Sequence, residues 1–140
     1  MRLYAESSAV LSWLLEEKRG GEVGAVLARA RTVCTSDLTL VECDRTLIRA
    51  VAAGSIRERD AGERRAVLDR AVGRWVMIAM GADIVARARR RFPVEPVRAL
   101  DALHLAAALA VSARMSDLAV ASLDSRIRDN AAALGMQVLP

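Results

Sequence analysis

The chain has 140 residues and a formal net charge of +4, and 54% of its residues are hydrophobic against 27% charged. This length suits one core, so we expect a single domain over residues 1–140, and the composition excludes a disordered chain. No apolar run is long enough to span a bilayer. Glu6 interrupts the stretch in which a signal peptide has its apolar core. Two cysteines are too few for a disulfide framework. We therefore expect a cytoplasmic protein without a membrane partner, whose mildly basic charge suits a polyanionic ligand.

Hydrophobic periodicity predicts strands that alternate with helices along the whole chain. The predicted strands are residues 2–6, 32–36, 75–80, 119–123 and 136–139. The predicted helices are residues 9–18 with Ser8 as N-cap, 22–31, 37–53 (starting at Asp37 or Thr39), 57–74, 82–91, 100–113 and 125–134. Strands separated by such helices pair in parallel, and their continuous apolar character indicates that both faces of the sheet are covered. We predict a three-layer α/β/α sandwich around a central, mostly parallel sheet of four to five strands.

Four carboxylates lie in apolar segments, at the ends of predicted strands or in the first turns of predicted helices: Glu6, Glu42, Asp101 and Asp124. Each context predicts burial, and a buried unpaired carboxylate costs on the order of 5 kcal/mol. Because ligands bind beyond the carboxyl ends of parallel strands, all four can converge on one edge of the sheet. A divalent cation would compensate their charge, and hard oxygen ligands suit Mg²⁺ or Mn²⁺. We predict that these four residues bind one such ion.

Pairing with arginine is the alternative explanation for the four acids. The nearby candidates are Arg45, Arg49, Arg98 and Arg126. Asp101 could also be favoured by the free N–H groups at a helix start. Either explanation accounts for a single acid as well as a metal does, but a shared ion accounts for all four together.

Four stretches carry a resemblance to a known family, in the family's order: Tyr4-Ala5-Glu6-Ser7-Ser8-Ala9, Thr39-Leu40-Val41-Glu42, Leu100-Asp101-Ala102-Leu103-His104-Leu105-Ala106 and Ser122-Leu123-Asp124. With these motifs nearly the whole chain resembles a PIN domain, specifically the VapC-type toxin of a VapBC toxin–antitoxin pair. The resemblance implies an Mg²⁺- or Mn²⁺-dependent endoribonuclease that a cognate VapB-like antitoxin holds inactive. The family's metal-binding acids correspond to Glu6, Glu42, Asp101 and Asp124, which are therefore the expected catalytic residues.

Hydrolysis of a phosphodiester bond needs an activated water and relief of charge on the phosphate oxygens, which a carboxylate-bound metal supplies. We expect Ser8 and Ser122 to hydrogen-bond metal-bound water or to orient a carboxylate, although helix capping and a strand-end hydroxyl explain them too. His104 lies one turn after Asp101, and we interpret it as a structural partner of the site instead of a general base. Arg98 could contact phosphate or neutralise a neighbouring acid.

One departure from the family pattern concerns the first acid, which is normally aspartate and here is Glu6. The longer side chain reaches roughly 1.5 Å further from the same backbone, and a misplacement of about 1 Å can cost 10²-fold in rate. The alternative function is therefore a catalytically weakened PIN-like module that binds a protein or RNA without cleavage. A phosphatase on a similar scaffold lacks support, because no glycine-rich phosphate loop is present.

Two surfaces are candidates for partners. The densest basic cluster comprises Arg87, Arg89, Arg90 and Arg91, which could contact phosphate or simply complement the end of a helix. Apolar residues on the first and third helices are core candidates that could also face a partner: Val10, Trp13, Leu14, Leu47, Ile48 and Val51. From a partly exposed Trp13 and the family resemblance we expect a homodimer and a complex with a small antitoxin.

Overall fold

A computed structural model describes all residues, 1–140, as a five-stranded sheet with helices on both faces. The strands are β1 (Arg2–Ala5), β2 (Thr32–Ser36), β3 (Val76–Ile78), β4 (Leu118–Ala121) and β5 (Gln137–Leu139). The helices are α1 (Ser7–Leu14), α2 (Gly20–Arg29), α3 (Asp37–Ala52), α4 (Glu58–Val72), α5 (Ala82–Ala88), α6 (Ala99–Ser112) and α7 (Ser125–Ala133). This architecture confirms the predicted α/β/α sandwich.

All strand pairs in the sheet are parallel, and the strand order is β3-β2-β1-β4-β5. The first strand of the chain is therefore the central one, with Tyr4 level with Cys34 of β2 on one side and with Val120 of β4 on the other. Every residue of β4 is buried, as are three of the four in β1. Continuous burial of this kind explains why these strands are apolar without alternation.

Apolar side chains pack against the sheet in three clusters. The largest lies around α6, the most apolar helix, and includes Tyr4, Leu105 and Phe92. A second cluster packs α1 and α3 against the sheet through Val10, Leu14 and Leu47, so most of the apolar residues proposed above as partner contacts belong to the core. The third lies under α2. The sheet is therefore covered on both sides, and its carboxyl edge stays open.

The helix boundaries differ from the prediction most at α1, α2 and α5. Helix α1 starts at Ser7 because Glu6, and not Ser8, is its N-cap: the Glu6 carboxylate accepts a hydrogen bond from the backbone N–H of Ser8 at 3.0 Å. Helix α2 starts at Gly20 instead of residue 22. A Cβ atom at Gly20 would lie 2.4 Å from the carbonyl oxygen of Ser12, so the glycine permits this close approach to α1.

Two further observations bear on the predictions from composition. No helix combines the length and the apolar character that crossing a membrane would require. Cys34 and Cys43 are both free and buried, as expected for thiols in apolar segments.

Candidate active site

The four predicted acids lie around the carboxyl edge of the central strands. Glu6 directly follows β1, and Asp124 follows the neighbouring β4 and is the N-cap of α7. Asp101 lies in the first turn of α6, as predicted, whereas Glu42 lies in the second turn of α3 and not in the first. The parallel order of β1 and β4 brings the residues that follow them to one place.

Glu6 is enclosed by serine side chains. Its residue is 3% exposed, and its carboxylate accepts hydrogen bonds from Ser7 Oγ at 2.7 Å and from Ser122 Oγ at 2.7 Å. Ser8 contributes both its backbone N–H, at 3.0 Å, and its hydroxyl. Ser8 and Ser122 therefore orient the Glu6 carboxylate, which is one of the two roles expected for them.

Glu42 is held from two sides and remains partly open to solvent. Its Oε1 atom lies 2.6 Å from Nε2 of His104, and its Oε2 lies 3.0 Å from Ser7 Oγ, whose single hydrogen is shared between the Glu42 and Glu6 carboxylates. Burial alone would raise the pKa of Glu42, but the hydrogen bond and charge of His104, with the hydrogen bond from Ser7, lower it below its ordinary value. Glu42 is therefore ionised well below neutral pH.

His104 is a buried link between Glu42 and the core. The residue is 1% exposed, and its Nδ1 lies 3.0 Å from the hydroxyl oxygen of Tyr4, which also lies 3.2 Å from Ser36 Oγ. Because a carboxylate can only accept, Nε2 of His104 carries the hydrogen that Glu42 receives. Both ring nitrogens are thus engaged, which fits the interpretation of His104 as a structural partner of the site.

Asp101 and Asp124 share one arginine. Arg98 Nε lies 3.3 Å from Oδ2 of Asp101, and Arg98 Nη2 lies 4.0 Å from Oδ2 of Asp124. The other oxygen of Asp124 accepts the backbone N–H groups of Arg126 and Ile127 at 2.9 and 3.2 Å. Of the arginines considered as partners, only Arg98 pairs with these acids. The Arg98 side chain is 68% exposed, so the pairing is readily exchanged for another ligand.

The four acids form a ring in which three neighbouring pairs share a side chain and the fourth pair, Glu42 and Asp101, lines one cavity. Ser7 joins Glu6 to Glu42, and Arg98 joins Asp101 to Asp124. Ser122 accepts from the backbone N–H of Asp124 at 3.1 Å and donates to Glu6. Glu42 and Asp101 line the same open cavity of about 350 Å³. The structure therefore brings the predicted residues together at one edge of the sheet.

Two aspects of the site differ from the sequence prediction. Glu6 and Asp101 are buried, but the side chains of Glu42 and Asp124 are each 25% exposed, so the expected burial is wrong for two of the four acids. These two face the open side of the edge. The sequence prediction also missed Ser7, whose only signal was its position beside Glu6.

The donor set of this ring fits a hard divalent cation in chemical type. All four acids offer carboxylate oxygens, and two of them open onto the cavity. In the present arrangement, however, no three His, Cys, Asp or Glu side chains are grouped so as to hold a metal ion. The carboxylates are bonded to serine, histidine and arginine instead. An ion would replace the exposed Arg98 contacts more easily than the buried serine contacts of Glu6.

Sequence and fold together define the class of protein. The PIN domain family profile matches residues 3–133, and the chain therefore belongs to the PIN domain family. This confirms the resemblance drawn from the four motifs. No curated protein sequence matches the chain significantly.

Solved structures with the same fold cover almost the entire chain. VapC20 of Mycobacterium tuberculosis, described as a Sarcin-Ricin loop cleaving toxin, is 18% identical over 99% of both chains, with a TM-score of 0.65. FitAcB from Neisseria gonorrhoeae is 19% identical over 100% of this chain and 97% of its own, with a TM-score of 0.68. VapBC2 from Rickettsia felis, bound to a DNA fragment from its promoter, is 11% identical over 99% and 97%, with a TM-score of 0.66. These likenesses confirm the PIN-like fold.

Proposed function

We propose that this protein is a VapC-like toxin, an endoribonuclease that hydrolyses RNA phosphodiester bonds with the help of Mg²⁺ or Mn²⁺ bound by Glu6, Glu42, Asp101 and Asp124. The observation that carries the proposal is the gathering of these four carboxylates at the carboxyl edge of a PIN domain sheet. The similarity to VapC20, which is described as a Sarcin-Ricin loop cleaving toxin, supports the same chemistry. We further propose that residues 1–140 act as one domain.

Each residue of the ring has a distinct task in this proposal. A bound divalent ion supplies a nucleophilic water and stabilises negative charge on the phosphate. Ser7, Ser8 and Ser122 fix the orientation of Glu6, while His104 fixes that of Glu42. The partly exposed carboxylate of Asp124 or Glu42 is placed to accept a proton from water at the solvent-facing side of the site. Arg98 releases the acids and contacts the RNA backbone.

Ribonuclease activity tests the proposal directly. We expect the purified protein to cleave a structured RNA in Mg²⁺ or Mn²⁺ but not in EDTA, and the Asp101→Asn variant to lose about 10²-fold or more in rate. Asp69→Asn is the matched control, because Asp69 is an exposed acid on α4, outside the site. Equal activity of the Asp101→Asn and Asp69→Asn variants would remove Asp101 from the catalytic site.

The second candidate function is a PIN-like binding module that does not cleave. The hydrogen bonds that surround Glu6 favour it, because they hold the longer carboxylate in place without a metal. Titration with Mn²⁺, followed by calorimetry, separates the two functions. The nuclease proposal expects binding that the Asp101→Asn variant weakens, whereas the binding module expects RNA or protein binding with no metal uptake.

A small VapB-like antitoxin is the partner we propose, and we also propose a homodimer. The similar structures of VapBC2 and FitAB are both bound to DNA fragments, in the case of VapBC2 a fragment from its own promoter. On this chain, Ile48 is 44% exposed and Trp13 is half-buried against Trp75, with ring centroids 6.2 Å apart. Light scattering of the free protein tests the dimer, and inhibition of cleavage by the neighbouring small gene product tests the antitoxin.

A further inference from the structure

The segment between α5 and α6 carries exposed arginines that do not pair with the acids of the site. Residues 87–98 contain five arginines and a single acid, Glu95. The carboxylate of Glu95 is already engaged by the backbone N–H groups of Phe92, at 3.0 Å, and Val97, at 2.7 Å. Arg89, Arg90 and Arg91 are exposed, and none of their side chains forms an ion pair or a hydrogen bond with the protein. We call these three residues the arginine surface.

The path of the chain directs the arginine surface toward the carboxylate edge. Asp83 and Ile84, at the start of α5, line one cavity with Ala110 and Val111, near the end of α6. Helix α5 therefore runs antiparallel to α6, and its C-terminal end lies toward the start of α6, where Asp101 is located. The arginine surface follows that end of α5 directly.

Anchors in the core hold the segment in a fixed shape. Phe92 is buried, and the guanidinium of Arg87 lies 4.2 Å from the centre of its ring. Asn130 of α7, which is fully buried, accepts from the backbone N–H of Val94 at 2.9 Å and donates to its carbonyl at 2.8 Å. The free arginines are therefore presented on an ordered support, which lowers the entropy that binding would cost.

We propose that the arginine surface binds the phosphate backbone of RNA and, together with Arg98, leads the strand to the carboxylates. This inference rests on the proposed function, since it extends the same site along the substrate. Arginine suits the task because it stays charged and can hold phosphate with two parallel hydrogen bonds. Arg98 follows Arg91 by seven positions, so Arg91 lies within about 25 Å of Arg98, a distance that a short stretch of RNA bridges.

RNA binding without cleavage tests the inference. The probe is a fluorescently labelled RNA stem-loop in EDTA, with the dissociation constant measured by anisotropy over a series of salt concentrations. The variant carries Arg89→Ala, Arg90→Ala and Arg91→Ala. We expect its dissociation constant to rise about 10- to 100-fold and its log–log salt slope to fall by about 2, because each lost phosphate contact removes 0.7 to 0.9 from that slope.

A second triple variant controls for net charge. Arg29, Arg31 and Arg74 are also exposed and unpaired, but they precede β2 and β3 and lie at the opposite edge of the sheet. Replacing these three with alanine should change the affinity and the salt slope much less. Equal losses in the two triple variants would overturn the inference, because net charge alone would then explain the binding.

Two other results would also overturn it. One is a wild-type protein that does not bind the RNA. The other is an Arg89/Arg90/Arg91 variant with a lower melting temperature and unchanged RNA affinity, which would assign these residues to the end of α5 alone. The proposed function fails separately: a wild-type protein that binds RNA through this surface but cleaves none in Mg²⁺ or Mn²⁺ keeps the surface and loses the nuclease. If instead the wild-type protein cleaves RNA and the Arg89/Arg90/Arg91 variant binds RNA with unchanged affinity, the nuclease proposal stands and the arginine surface is refuted.

Discussion

His104 joins the half-exposed Glu42 to the buried hydroxyl of Tyr4, so the site and the core share one side chain. Replacing His104 with alanine removes one hydrogen-bond partner from Glu42 and one from the buried Tyr4 hydroxyl, and we expect a loss of about 1–3 kcal/mol in the free energy of unfolding. A His104→Gln variant retains an amide donor toward Glu42 and should lose less. Urea denaturation measures both, and equal losses would show that the Glu42 contact contributes nothing to stability.

Glu6 is the residue at which the chain departs from its family, and its surroundings fit the longer side chain. Ser122 and Ser8 reach the carboxylate where glutamate places it. We expect Glu6→Asp, which restores the residue usual in the family, to keep the helix cap but lose the bond to Ser122. Stability should fall by about 1 kcal/mol, and cleavage should fall too. A variant that is more stable and more active than the wild type would show that the serines are not matched to Glu6.

The sequence predicted the acidic residues of the site better than their hydrogen-bond and ion-pair partners. Apolar flanks and strand ends located Glu6 and Asp124, because these signals are local. The role of Ser7 depends on α3 bringing Glu42 to the same hydroxyl, 35 residues away along the chain. Likewise, nothing near Arg98 shows that it reaches Asp124 as well as Asp101. Contacts between distant segments have no signature in a single sequence.

At the scale of elements, strand and helix positions followed from periodicity to within a few residues, and the largest errors lay at helix ends. Helix α5 ends at Ala88 instead of Arg91, and α1 ends at Leu14 instead of residue 18. Just beyond α1, Glu16 has a φ of 55°. Periodicity reports the buried face of a helix, whereas its last turn is exposed and set by neighbouring elements.

The contact between α1 and α2 gives a sharp test of packing. We expect Gly20→Ala to destabilise the protein by about 1–3 kcal/mol, because the new Cβ would meet the backbone carbonyl of Ser12. Gly21→Ala is the matched control: its Cβ would have no neighbour within 4 Å, and it should stabilise by about 0.4–1 kcal/mol. Thermal or urea unfolding compares the two. Similar effects of both substitutions would mean that α2 can move away from α1.

For the whole molecule, buried tyrosine and cysteine side chains with raised pKa values predict a loss of stability at alkaline pH. Burial raises the pKa of Tyr4 and of Cys34, and burial together with nearby carboxylates raises that of Cys43 to about 12. The unfolded chain releases these protons from about pH 8.5 for cysteine and about pH 10 for tyrosine, while the folded chain retains them. The contribution of these three groups to the free energy of unfolding is therefore complete below about pH 8 and is lost as the pH rises toward about 12.

Urea midpoints measured from neutral to alkaline pH check this expectation. A Cys34→Ala variant should show a shallower decline than the wild type, because it lacks one of the titrating groups. Stability that is independent of pH above the ordinary cysteine pKa would contradict the assignment of these groups as buried in the folded state.

The hydrogen bond between Ser122 and Glu6 has a consequence for the order of folding. It joins residues 116 positions apart, across the contact between the central strand and β4. Contacts between such distant residues form late, since the entropy of closing a long loop must be overcome first. A chain in which β4 has not yet paired with β1 therefore lacks the hydrogen bond from Ser122 to Glu6. Under the proposed function, a folding intermediate, or a nascent chain still on the ribosome, lacks the assembled site that RNA cleavage requires.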